Sequence, residues 1–144
     1  MQRNKIIVVI FEDLNIREVA VHYAEVLAQR INAQIIFLLL MEYNSDSKDE
    51  VELLKQKYKD IILKRISEII GNNISVQAEV MVGNRRSEFY KFLASHRSFH
   101  TAVWGGDENA AMEKTGRSAG HWMARIKDEL SCPLVIPKKK YKAR

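Results

Sequence analysis

Apolar residues recur along this chain in two different periods, and the alternation between them predicts its elements. Lys5 leads into the apolar run Ile6 to Phe11, which has strand length and the continuity of a strand covered on both faces. Glu12-Asp-Leu-Asn15 is a polar turn. From Ile16 to Ile31, the positions Ile16, Val19, Ala20, Tyr23, Ala24, Leu27 and Ile31 make one helical stripe, with Asp13 or Asn15 expected to cap it. A second buried-type strand runs from Ala33 to Met41. A polar connection then leads to a helix from Lys48 to Ile70 with Val51, Leu54, Tyr58, Ile61, Ile62, Ile66 and Ile69 inward, stopped by Gly71-Asn-Asn73.

The third strand differs in kind. Ile74, Val76, Ala78, Val80 and Val82 alternate with Ser75, Gln77, Glu79 and Met81, the period of a half-exposed strand at a sheet edge. Gly83-Asn-Arg-Arg-Ser87 opens a third helix with Phe89, Phe92 and Leu93 inward, and Thr101-Ala-Val-Trp104 is a short strand halted by Gly105-Gly106. Thr115-Gly-Arg-Ser-Ala-Gly-His121 then leads into a helix from Trp122 to Leu130, with Met123, Ile126 and Leu130 at helical spacing. Ser131-Cys-Pro-Leu-Val-Ile-Pro137 closes the chain as a proline-bracketed strand. Five strands alternating with four helices predict an α/β fold: a mainly parallel open sheet with right-handed crossovers and helices on both faces.

Composition narrows this further. With 144 residues and 47% hydrophobic content, the chain suffices for one domain with a core of its own. Its net charge of +5 comes from one place: Lys138, Lys139, Lys140, Lys142 and Arg144 belong to a basic tail over 138–144, and residues 1–137 are balanced. Without aromatic residues interleaved in a basic face, this tail reads as a solvated end, and nucleic acid is not an expected partner. No apolar run approaches eighteen residues, and no small-residue cleavage site follows the first strand, so neither a membrane span nor a signal peptide is expected. A single cysteine, Cys132, fits a reducing cytoplasm.

The stretch from Thr101 to Pro137 resembles the C-terminal half of the universal stress protein domain, in which a strand ends in glycine, a loop holds phosphate and a helix leads to a Cys-Pro-Val-like strand. Cys132-Pro133 fixes the register. The Val82-Gly83 step is similar to the family's Gly-x-Pro turn, and the likeness extends over roughly residues 4 to 137. It implies a five-stranded sheet in the order 3-2-1-4-5, an adenine nucleotide alpha hydrolase-like arrangement, with a crevice where the strand order reverses between strands one and four.

In such proteins an aspartate ends strand one and a Gly-x-x-Gly-x9-Gly-(Ser/Thr) loop wraps the phosphates of an adenine nucleotide. Carried onto this sequence, the resemblance implies binding residues Asp13, Gly105, Gly106, Gly116, Arg117, Ser118, Gly120 and His121, with ATP or another adenine nucleotide as ligand, with or without Mg²⁺. Three positions depart. Phe11 stands where the aspartate belongs, Glu108 or Asn109 replaces the middle glycine, and His121 follows Gly120 in place of a hydroxyl residue. Asp107, Glu108 and Glu113 add negative charge to a loop meant for phosphate.

The leading expectation is therefore a cytoplasmic regulatory domain with a degraded nucleotide site, acting as a homodimerising interaction module through the final strand, Leu134-Val-Ile136, together with an unidentified protein partner. The alternative is a stress sensor binding ATP, ADP, AMP or another phosphate ligand. His22, His96 and His100 form no metal or nucleophile constellation, and there is no Gly-x-Ser-x-Gly signature, so neither catalysis nor a metal site is expected. Cys132 reads as an inert thiol, Trp104 and Trp122 as core residues.

Overall fold

The computed structural model describes residues 5–44, 46–71, 73–96, 98–107 and 122–138. In chain order these form β1 (Lys5–Phe11), α1 (Glu18–Ile31), β2 (Ala33–Glu42), α2 (Lys48–Ser67), β3 (Val76–Gly83), α3 (Arg85–Ala94), β4 (Thr101–Trp104), α4 (Trp122–Ile126), a 3₁₀ turn (Lys127–Glu129) and β5 (Leu134–Val135). The strands make one sheet in the order β3-β2-β1-β4-β5, every pairing parallel. In β1, at its centre, Ile7 lies beside Ile35 and Thr101, and Ile10 beside Leu38 and Trp104.

Successive side chains of a strand point to opposite faces, so the continuous apolar runs of β1 and β2 feed two cores. On one face Ile7, Val9, Phe11, Ile35, Phe37 and Leu39 pack with Ala20, Val21 and Ala24 of α1 and with Ile62 and Ile66 of α2. On the other, Val8, Ile10, Leu38, Leu40 and Trp104 meet Phe89 and Phe92 of α3 and Met123 of α4. Burying such a Leu, Ile or Phe side chain is worth about 1.5–3 kcal/mol, which makes these two layers the principal source of stability. The alternation read in the third strand holds: Ala78, Val80 and Val82 are buried, while Gln77 is exposed and Glu79 half-buried on the outer side of this edge strand.

The helices correct the sequence pattern in detail. The expected cap on α1 is not made: Arg17 occupies the N-cap without a side-chain bond, and Asp13 Oδ1 instead accepts from the Asn15 N–H at 2.9 Å, closing a local turn. The buried face is Ala20, Val21, Ala24 and Ala28, and Tyr23, expected inside, is 39% exposed. Small residues let α1 lie close to the sheet, which turns the larger side chains outward. On α2 only Ile62 and Ile66 are fully buried; Ile61 is exposed, and so is Leu53, at 73%. This helix packs chiefly on β3, an edge strand, so a narrow strip of it meets apolar surface. Its start is capped by Ser47 Oγ, which accepts from the Glu50 N–H at 3.2 Å.

At the end of β3, Gly83 has φ of 147°, which favours glycine and turns the chain into α3. There Asn84 Oδ1 caps the helix by accepting from the Ser87 N–H at 3.0 Å. The single helix expected to reach Leu130 is in fact α4 followed by a 3₁₀ turn, and β5 is two residues long. His96 is held structurally, its Nε2 lying 3.2 Å from Glu79 Oε2 and its ring packed against Phe92. Burial pushes the Cys132 thiol up, outweighing its hydrogen bond with the Ala102 backbone, which leaves it a poor nucleophile. Among the described residues no helix is long and apolar enough to cross a membrane.

Candidate functional site

In an open parallel sheet the crevice for ligands lies at the carboxyl ends of the strands where their order reverses, here between β1 and β4. Strand parity decides what is found there. Phe11, the last residue of β1, falls on the face of α1 and α2, where it is 1% exposed and stacks on Phe37 with ring centroids 6.2 Å apart. Its ring also fills the space above Gly105: a Cβ on that glycine would lie 2.5 Å from Phe11 Cε1 and 2.9 Å from the Ile10 carbonyl oxygen. The close approach that the glycine permits is thus made by the protein's own phenyl ring. The Gly105 N–H donates to Ile10 O at 2.7 Å and prolongs the β1–β4 pairing.

Gly106 is closed from another side, since a Cβ there would sit 2.8 Å from Trp104 Cζ2. Its carbonyl accepts from Arg17 Nη1 at 2.6 Å, and the Trp104 indole N–H donates to Asp107 O at 2.7 Å. These bonds tie the chain after β4 to the start of α1 and to its own strand.

One residue beyond Phe11, parity turns the chain to the other face. Glu12 is part-buried and its Oε1 accepts from the Trp122 indole at 2.8 Å. Trp122 in turn meets Phe89 and Trp104 edge-on, at 5.5 and 5.9 Å between centroids. Arg85, at the first turn of α3, donates from Nε to Leu40 O and from Nη2 to Glu12 O, both at 2.9 Å. Its guanidinium also lies 4.0 Å from the Glu12 carboxylate and 3.7 Å from that of Glu42. A planar fork of this kind suits several oxygens at once. It binds together the carboxyl ends of β1 and β2 and the beginning of α3. Replacing it in Arg85→Met is expected to lower stability by about 2 kcal/mol, because two part-buried carbonyls lose charged donors and Glu12 loses a countercharge. The midpoint of urea unfolding measures this.

Of the residues named from the sequence, the structure brings Gly105 and Gly106 to the crevice and leaves Asp13 exposed, its carboxylate engaged with the Asn15 N–H. Gly116, Arg117, Ser118, Gly120 and His121 lie outside the described residues. Glu12, Arg17, Arg85 and Trp122 are not among the binding residues expected from the sequence, although the period of two through Val8 and Ile10 assigns Glu12 to the tryptophan face. Among the described residues no group of three or more His, Cys, Asp or Glu is placed to hold a metal ion.

No family profile and no curated protein matches the sequence. Solved structures do match. Universal stress protein UspA from Lactobacillus plantarum superimposes with a TM-score of 0.61 over 96% of this chain and 100% of its own, at 17% identity. A universal stress protein in complex with cAMP gives 0.65 over 96% and 100%, at 14% identity. The universal stress protein of Archaeoglobus fulgidus in complex with dAMP gives 0.55 over 96% and 100%, at 13% identity. The fold is that of the universal stress proteins. In this universal stress protein fold, the sheet order 3-2-1-4-5 expected from the sequence is the one observed, and among the described residues Phe11, Glu12, Arg85 and Trp122 lie at the switch point between β1 and β4.

Proposed function

We propose that this chain is a universal stress protein-like regulatory domain of the cytoplasm whose nucleotide crevice is occupied by its own side chains, and that it acts as a dimerising interaction module without catalysis. The observation that carries the reading is the Phe11 ring seated on Gly105: an apolar, buried group stands at the end of β1, and the glycine after β4 has no room left above it. The nearby carboxylates support a non-catalytic role, since Glu12 accepts from Trp122 and Asp13 from the Asn15 backbone, neither being poised over an open cavity as a base.

Calorimetric titration with ATP, ADP, AMP and cAMP, with and without Mg²⁺, tests the closed crevice, and no saturable heat is expected. Saturable binding would select the alternative, an adenine-nucleotide or phosphate-ligand sensor. That reading draws support from the two neighbouring structures that hold cAMP and dAMP.

Dimerisation is proposed at β5. This strand pairs with β4 through Ala102–Leu134 and Val103–Val135 and forms the sheet's edge, with Leu134, Val135 and Ile136 all half-buried. A short apolar edge invites pairing with its symmetry mate, which satisfies the outer backbone groups of both copies. Sedimentation should show a dimer for the native chain and a monomer for Val135→Lys. A native chain that stays monomeric at high concentration removes the module from the proposal.

A further inference from the structure

At the opposite end of the sheet from the crevice, the amino ends of β1 and β2, the segment leading into β3 and the end of α1 surround a cleft of about 470 Å³. That volume lies within the range of small-molecule sites. Its polar lining is Lys5, Gln29, Asn32, Gln34, Asn73 and Ser75. Four of these are carboxamides, drawn from three separate parts of the chain, and among the described residues none of the four has a side-chain hydrogen bond or ion pair. Asn32 is noteworthy in its conformation: it ends α1 in the left-handed region, with φ of 58° and ψ of 54°, where glycine is the usual choice. An asparagine there accepts some backbone cost and places an amide on the rim of the cleft.

The electrostatics restrict what fits. Among the described residues Lys5 is the only charged side chain in the lining, and it disfavours a cation. The C-terminus of α1 ends at the same cleft, and the negative end of its helix dipole offsets the attraction of Lys5 for an anion such as a phosphate ester. Carboxamides each present donors and an acceptor, the complement of hydroxyl groups that both donate and accept. Ala28 and Ile74 give the lining an apolar part against which C–H faces can rest. We infer that this cleft is a second binding site, for a neutral polyhydroxylated small molecule of the sugar or polyol class, independent of the nucleotide crevice.

The test is a titration of the ¹⁵N-labelled full chain with glucose, trehalose and myo-inositol, and with glucose 6-phosphate as the anionic arm. At least one neutral compound should move the side-chain NH₂ signals of Gln29, Asn32, Gln34 and Asn73 saturably, leave the Trp104 indole signal in place, and bind more tightly than glucose 6-phosphate. Gln29→Leu with Asn73→Leu should weaken that binding about tenfold. Native indole signals and a cooperative melt establish that the variant is folded; if they are lost, Gln34→Leu alone serves, with the same loss of affinity expected. The inference is overturned if no neutral compound saturates, if the phosphorylated sugar binds as well or better, or if the leucine variants bind as tightly as the native chain.

Discussion

Phe11→Asp, which puts an aspartate back at the end of β1, is expected to lower folding stability by about 4 kcal/mol and to create no nucleotide site. The side chain at this position is 1% exposed and lies among Phe37, Val9, Leu39 and the core residues of α1, so the change removes a stacked ring and buries a carboxyl group in its place. Such a carboxyl resists ionisation, and its folded-state pKa rises above the unfolded value. The unfolded state then gives up its proton first, so the deficit grows as pH rises through the interval above about 4, where the unfolded carboxyl titrates. Urea unfolding at several pH values measures both effects. A variant as stable at neutral pH as the native chain, or one that gains saturable AMP binding, would show that residue 11 faces the crevice after all.

Gly105→Val should cost about 3 kcal/mol, because an added Cβ is blocked on two sides by atoms with little freedom to retreat. On one side is the Phe11 ring at 2.5 Å, held by its stack on Phe37. On the other is Ile10 O at 2.9 Å, fixed by the hydrogen bond from Gly105 itself. The two obstacles can be separated. In a Phe11→Ala background the same substitution should be at least about 1 kcal/mol less damaging, since contacting sites couple by such amounts. Equal penalties in the two backgrounds would place the clash on the Ile10 carbonyl alone.

The fold was legible because its period signals are strong. The unbroken runs in β1 and β2 could only belong to strands covered on both faces, and the alternation of Ile74 to Val82 could only belong to an edge. The stretch Gly83-Asn-Arg-Arg-Ser87 likewise marks the opening of α3, and the structure adds that Asn84 caps it. Helix faces were less legible. Ala20, Ala24 and Ala28 face the sheet on α1 and exclude Tyr23, a choice made by the distance between layers and invisible to a count of apolar positions. The crevice was read in part. Gly105, Gly106 and the misplaced Phe11 are visible in the sequence, but Arg85 acts on Leu40 O and Glu12 O across 45 and 73 residues, contacts that have no local trace.

The two edges of the sheet are unlike, and this sets how far association by strand pairing can go. β3 presents Gln77 and Glu79, and the groove beside it is lined by Glu52, Lys55 and Lys59 of α2, so an incoming strand must desolvate charges to reach its backbone. β5 offers a short apolar segment instead. A chain adhesive at both edges would add copies without limit and grow into a fibre, whereas one adhesive edge, matched only to itself, is consumed when two copies meet. In the dimer proposed at β5, the charged flank of β3 would act as the chain terminator.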